Sequence, residues 1–481
     1  MKRSLIWSVL LGTALLMLSF GAFASGVLVY EQGSKASAQA GAWVARSDDA
    51  TALAYNPAGI AFLKGMNVCF NLTYINADVK YESPTLGNWK DNKQNMFVPS
   101  AFFTWAIRDN VSFGFSVTAP YDLATDWNEH FPGRWFSRKS QITTIDYHPV
   151  VAFKVGENSA LSFGLDYYDS QIILTRNQDT TALSTIYNGV VGGNFYFPGV
   201  PAYSSSEAFV ATDMRDKALG FDIGWLIKND PWSFGLTYRS KATFDYTGHT
   251  WFYTDASRLA AGGPNPLGLP TNWTTFFPGQ DVKMTLATVP AMATVGVAWN
   301  GNPLTVELDL QWTQWSNAWS RSNAQFSTPT NLPVSPFLGS ASGEAVVPSQ
   351  EAFIFDWNDT WAARLGFAYK LNDRMELRWG VLYDQAPVPD STRSPFLPDS
   401  DRWSVQVGMG YNREHWGLDW YVMYLQFQDA SPSAGTYYNE TGLPTLPAPV
   451  TSLYLNSYQA LNDGTYKGTS VLAGVQFNYK F

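Results

Sequence analysis

Hydrophobic and polar residues alternate at period two along most of this chain, and residues 471–481 show it best. Val471, Ala473, Val475, Phe477, Tyr479 and Phe481 share one face; Leu472, Gly474, Gln476, Asn478 and Lys480 share the other. A greasy outer face, a mostly polar inner face and a terminal aromatic are how bacterial outer-membrane barrels close. Similar segments lie near 67–82, 96–107, 111–124, 141–155, 159–175, 217–229, 232–248, 281–300, 303–319, 357–370, 374–386, 401–413, 416–428 and 467–481, fourteen in all. The links between them alternate in length. Six are short, such as Asp230-Pro231 and Gly301-Asn302; seven are long, covering about 83–95, 125–140, 176–216, 249–280, 320–356, 387–400 and 429–466. Short periplasmic turns, long outer loops and an even strand number are barrel features, and this order puts both termini on the periplasmic side.

Facing follows strand by strand. Leu304, Val306, Leu308, Leu310 and Trp312 oppose Glu307, Asp309 and Gln311, while Met375, Leu377, Trp379, Val381 and Tyr383 oppose Glu376, Arg378 and Asp384. Trp361, Leu365, Phe367 and Tyr369 oppose Arg364 and Lys370. A charge on the lipid face costs about 2–4 kcal/mol at the midplane, so the charged set faces the lumen. A soluble β-sandwich would carry the same alternation with its polar faces outward.

The N-terminus and the composition separate these readings. Lys2 and Arg3 precede an apolar run from Leu5 to Phe20 and the triplet Ala22-Phe23-Ala24, so residues 1–24 read as a signal peptide and Ser25 as the first mature residue. Losing Lys2 and Arg3 takes the net charge from −9 to −11, which argues against nucleic acid as a partner. An exported chain with 20 Trp, 25 Tyr and 31 Phe fits aromatic girdles at two bilayer interfaces. The single Cys69 leaves no internal disulfide framework.

Residues 25–66 do not alternate. They are rich in Ala, Ser and Gly and read either as a disordered leader or as a plug (hatch) of short helices folded into the lumen, where small residues allow close packing. The run Ser47-Asp48-Asp49-Ala50-Thr51-Ala52-Leu53-Ala54-Tyr55-Asn56-Pro57-Ala58-Gly59 resembles the N-terminal hatch of the FadL-type transporters of long-chain fatty acids and aromatic hydrocarbons. Further matches follow in order: Val98-Pro99, Tyr121-Asp122-Leu123-Ala124-Thr125, Ser162-Phe163-Gly164-Leu165, Leu236-Thr237-Tyr238-Arg239-Ser240, Trp312-Thr313-Gln314-Trp315-Ser316, Pro387-Val388-Pro389 and 397–403. Asn-Pro alone is a common turn, but the ordered set spans nearly the whole mature chain.

The resemblance implies an all-β, fourteen-stranded transmembrane antiparallel barrel, residues 67–481, plugged by a hatch at 25–66 that carries Asn56, Pro57 and Ala58. It implies a monomer in the outer membrane, amid lipid and lipopolysaccharide, inserted by the barrel-assembly machinery through the strand ending in Phe481. Its implied function is passive, ligand-gated uptake of hydrophobic molecules: capture among outer loops, transfer to a lumen pocket, and exit sideways through the wall. No cofactor or metal is expected. Ala119-Pro120-Tyr121 falls at the family's kinked strand and is the expected lateral gate. Proline cannot donate to a sheet ladder, so Pro120 marks either a break in pairing or the end of the strand at Thr118. Phe195, Phe197, Trp251, Phe252, Phe276 and Phe277 place apolar aromatics in expected loops, as a capture groove or as packing that orders those loops. A carboxylate ligand would need a cation, for which Arg176 is the first candidate and Arg239 the second.

Two other classes compete. A general diffusion porin would lack the plug and conduct ions freely. An outer-membrane hydrolase would need a nucleophile–base arrangement, and none of His130, His148, His249 and His415 has a nearby Ser or Asp in a motif.

Overall fold

The computed structural model describes residues 26–92, 94–179, 207–254, 280–326, 350–432 and 464–481. Alternation becomes one antiparallel sheet of nineteen strand segments. These are β1 (Met66–Ser83), β2 (Gly87–Lys90), β3 (Gln94–Arg108), β4 (Val111–Asp126), β5 (Lys139–Lys154), β6 (Ser159–Asp179) and β7 (Glu207–Asn229). β8 (Trp232–Arg239), β9 (Ala242–Thr254), β10 (Gln280–Val289), β11 (Ala291–Asn300), β12 (Leu304–Gln314) and β13 (Arg321–Phe326) follow. The last are β14 (Gln350–Ile354), β15 (Thr360–Lys370), β16 (Met375–Asp384), β17 (Arg402–Asn412), β18 (Trp416–Phe427) and β19 (Thr465–Lys480).

They make fourteen staves. β8 and β9, β10 and β11, β12 and β13, and β14 and β15 are halves of single staves, and β2 is a short outer hairpin on β1. The breaks have local causes: Pro290 has no N–H to give, and a 3₁₀ turn at Trp315–Asn317 interrupts the ninth stave. Pairing of β1 with β19, from Asn67↔Lys480 to Glu82↔Thr465, closes the cylinder.

Facing agrees with the alternation. Phe163 and Leu219 are 54% and 63% exposed on the outside, whereas Glu307, Asp309, Arg364 and Arg378 are buried inside. Exposed Trp105, Trp225, Trp232, Trp299 and Trp416 lie within a few residues of the short turns, forming an aromatic ring at that interface.

Several expected boundaries need correction. β7 begins at Glu207 rather than 217, β6 runs to Asp179, and β9 continues to Thr254. At about 3.3 Å per residue, the 21 residues of β6 outreach a bilayer core of about 30 Å even when tilted. Beyond the lipid, the outer face turns polar, as at Asp169, Asp213, Arg215 and Lys217, and the membrane pattern fades. β13 and β14 likewise lie in what the alternation left as loop 320–356.

Residues 26–65 fill the lumen. They hold α1 (Ser34–Ser37), α2 (Ala52–Tyr55) and a 3₁₀ turn at Pro57–Phe62. Ala36, Ala38, Ala42, Ala45 and Ala52 are fully buried, so small side chains let this segment fit against the wall. Residues 1–25 lie outside the described residues.

Candidate ligand passage

Asn56 ties the hatch both to itself and to the wall. Its Nδ2 donates to the Val44 carbonyl at 2.8 Å and to the Trp225 carbonyl of β7 at 3.0 Å, while its Oδ1 accepts from Ala58 N at 3.2 Å. It therefore caps the 3₁₀ turn that Pro57 opens and ties that turn to the wall. Opposite, Asp309 Oδ2 accepts from Trp43 N and Val44 N, and Glu307 Oε1 accepts from Ala45 N. These carboxylates satisfy backbone donors that water cannot reach. Gly235 faces the same loop: a Cβ there would lie 2.1 Å from the Val44 carbonyl oxygen, so only glycine lets the hatch approach.

The wall is interrupted beside the hatch. β3 pairs with β4 only from Ala101↔Val117 to the short turn, leaving residues 94–100 paired to β1 alone. β4 does not end at Thr118; it runs through Pro120 to Asp126, and its register with β5 shifts between Thr118 and Tyr121. A proline thus stands on each lip, Pro99 and Pro120, as edge positions favour. Beyond the breach, Asn92 N donates to the Asp126 carbonyl at 2.7 Å and rejoins the wall.

The hatch supplies what the wall lacks. Leu28 bridges Tyr121 in antiparallel fashion, Val29 N donates to the Pro120 carbonyl at 2.8 Å, and Asp122 N donates to the Val27 carbonyl at 3.1 Å. Gln32 spans the gap: its Nε2 donates to the Ala119 carbonyl at 3.0 Å, and its Oε1 accepts from Ser100 Oγ at 3.0 Å.

Inside the breach lies a cavity of about 50 Å³ lined by residues that include Leu28, Tyr30, Gln32, Pro120, Tyr238, Arg239 and Met292. Outward of it the lumen is apolar. Tyr121, Ile142, Tyr168, Ile172, Met214, Phe244, Tyr246, Val282, Met284 and Leu286 pack with Val27 and Leu28, below Trp315, Trp319 and Trp357. A lumen lined this way is unlike a water-filled pore.

The sequence profile of the family described as outer membrane protein transport protein (OMPP1/FadL/TodX) matches residues 15–481. The chain belongs to this family. It is similar to the long-chain fatty acid transport protein of Escherichia coli K12, 26% identical over 461 residues that cover 92% of this chain and 96% of the relative. Among solved structures it resembles a FadL homologue of Pseudomonas aeruginosa, with 20% identity, a TM-score of 0.70, and 95% and 100% of the two chains covered. The toluene transporter TodX of Pseudomonas putida shares 14% identity and a TM-score of 0.64 over 96% and 99%. OMPP1/FadL/TodX proteins are outer-membrane transport channels for hydrophobic substrates, not enzymes.

Within this FadL-type chain Trp251 and Arg176, two of the expected ligand contacts, do not line the cavity. Phe195, Phe197, Phe276 and Phe277 lie outside the described residues. Trp251 and Phe252 stand in β9 rather than in a loop, because paired strand continues to Thr254. Trp251 is exposed on the outward face beside His249. Arg176 sits half-buried near the outer end of β6, opposite Val210, away from the cavity. Arg239, the second candidate, does line it, and it is held by Asp146 at 3.7 Å and Asp166 at 3.5 Å. Nothing in the sequence singles out Gln32: it stands beside Glu31 just ahead of the small-residue run, and its partners Ser100 and Ala119 are far away in sequence.

Proposed function

We propose that this FadL-type protein carries hydrophobic small molecules from its outer links into the apolar chamber and releases them sideways through the breach between β3 and β4. The observation that carries this reading is that one segment, residues 27–32, closes both the cavity and the breach. An apolar cavity that takes up benzene measures about 150 Å³, well above the space present here, so a ligand must displace something to enter. Moving 27–32 enlarges the cavity and frees Pro120 and Tyr121 in one step. Ligand entry then opens the exit, and an unliganded channel stays shut.

The relatives' names point to long-chain fatty acids or toluene-like hydrocarbons. Arg239 favours a neutral ligand, since a carboxylate would have to compete with Asp146 and Asp166 for the same guanidinium. The hatch motif Asn56-Pro57-Ala58 holds the plug, Ala119-Pro120-Tyr121 forms one lip of the gate, and the chain works as a monomer delivered to lipid by its C-terminal strand ending at Phe481.

Ala119→Trp tests the exit. Ala119 is half-buried at the lip, so an indole there fills the breach without entering the core. Uptake of a labelled alkylbenzene by cells should fall to the level of cells lacking the protein, while heat-modifiable gel mobility, which reports a folded barrel, stays normal. Undiminished uptake would remove lateral exit. A large steady ion current from the wild-type protein in a planar bilayer would favour a general porin instead.

A further inference from the structure

At mid-lumen, three adjacent staves aim acids and an imidazole at one point. Asp146 and His148 come from β5, Asp166 from β6 and Asp222 from β7, and all four are buried. Ligand atoms of Asp146, His148 and Asp166 lie within 4.8 Å of one another, and His148 Nε2 also meets Asp222 Oδ2. Neither oxygen of Asp166 has a hydrogen-bond partner, nor has Asp146 Oδ1 or Asp222 Oδ1. Arg239 is the one cation ion-paired to these carboxylates besides His148, among the described residues. Gly164 makes room at the centre: a Cβ there would lie 2.1 Å from Asp222 Oδ2 and 2.2 Å from His148 Nε2.

With the imidazole neutral, as a metal ligand must be, three carboxylates against one guanidinium leave two negative charges in a buried site. A divalent cation cancels them and gives the orphaned oxygens a partner, with the imidazole neutral and its Nε2 turned from hydrogen-bond donor to ligand. One nitrogen and several carboxylate oxygens suit a borderline first-row ion better than Ca²⁺ or Mg²⁺, whose preference is for oxygen alone. We propose that Asp146, His148, Asp166 and Asp222 form a binding site for one divalent transition-metal ion, with Zn²⁺ fitting the donor set, that ties β5, β6 and β7 together behind the breach. Asp222 and Arg239 line the cavity, which gives the ion a way in.

The test uses the full-length barrel, refolded in detergent after chelation in denaturant, then loaded with Zn²⁺ and dialysed. Elemental analysis should find one Zn²⁺ per chain, the thermal unfolding midpoint should rise on loading, and Co²⁺ in its place should give visible d–d absorption of mixed nitrogen and oxygen ligands. His148→Phe should lose the bound metal. If the wild-type barrel retains no zinc, the cluster is an ion-pair network only and the proposal is overturned. Zinc that persists in a folded His148→Phe barrel belongs to exposed His130, His249 or His415 and overturns it equally. Should His148→Phe fail to fold, Asp166→Asn replaces it, with loss of the ion supporting the site and retention refuting it.

Discussion

Replacing Asn56 with Ala probes the hatch at its firmest point. The side chain is fully buried and makes three hydrogen bonds: to the Val44 carbonyl, to the Trp225 carbonyl and from Ala58 N. Alanine removes all three, leaving the Val44 carbonyl and Ala58 N without a side-chain partner where water is scarce and freeing the Trp225 carbonyl from the hatch. At about 1 kcal/mol per buried hydrogen bond, with the cap worth about 1 kcal/mol on its own, the loss is about 3 kcal/mol, and it falls on docking of the hatch. The strand ladders of the barrel lose nothing, since Trp225 keeps its pairing with Leu161 and Leu236. A deficit of that size multiplies the undocked population about a hundredfold, since about 1.4 kcal/mol is tenfold. The assay is ion conductance of single channels in a planar bilayer, with heat-modifiable gel mobility as the control for an intact cylinder. Asn56→Ala should flicker into conducting states that the wild type rarely visits. Asn56→Asp should behave like alanine rather than like asparagine, because a carboxylate keeps the acceptor for Ala58 N but faces two carbonyls it cannot donate to. Wild-type conductance in both variants would refute the assignment of Asn56 as the tie between plug and wall.

Three further expectations follow from the same geometry. Gln32→Ala removes the bonds to Ala119 and Ser100, about 2 kcal/mol at the rim of the breach, and should raise basal uptake of a fluorescent hydrophobic probe by at least several-fold, with no change in folding. Gly235→Val sets a side chain against the Val44 carbonyl oxygen; limited proteolysis should then cut within residues 26–65 while the barrel fragment stays intact. In the link before β17, burial pushes the Asp399 carboxyl up to about 7, although the Arg402 guanidinium and the Gly26 N–H it accepts at 2.8 Å pull the other way. A carboxyl whose folded value lies above its unfolded one contributes stability below about pH 4 that is lost as pH rises through about 7. The thermal midpoint should therefore fall between pH 5 and pH 8, and Asp399→Asn should flatten that slope; an equal slope in the variant would count against Asp399 as a source.

What the sequence reveals here depends on contrast between the two faces of each stave. In β12 and β16 the lumen residues Glu307, Asp309, Glu376 and Arg378 oppose Leu308, Leu310, Leu377 and Trp379, so facing, register and stave identity are legible from alternation alone. The hatch is legible only through the resemblance of residues 47–59 to a FadL-type hatch, since Asn56-Pro57 by itself is a common turn. The mid-lumen cluster is not. Along the chain His148 has only Asp146 beside it, while Asp166 and Asp222 reach it across the ladder, one stave and two staves away.

The outer half of the lumen is hidden for a different reason. There Phe244 and Tyr246 in β9 and Val282, Met284 and Leu286 in β10 face inward as hydrophobics while Asp245, Asp281 and Lys283 face outward, so the alternation persists with its sense reversed from that of a membrane strand. A pattern keyed to apolar outer faces accordingly places 249–254 in a loop and runs 281–300 as one unbroken strand, whereas the chain pairs to Thr254 and breaks at Pro290. The reversed alternation still fixes register, and the stretch is held further by its length of pairing, β9 to both β7 and β10, and by hydroxyls such as Tyr246, which meets Ser170 and Thr288 across the chamber. The property that suits this half of the lumen to a hydrophobic ligand, an apolar inner surface beneath a polar outer one, is the one that inverts its signature in the sequence. In a barrel that moves apolar cargo, the staves whose alternation changes sense are therefore the ones to inspect first for the route.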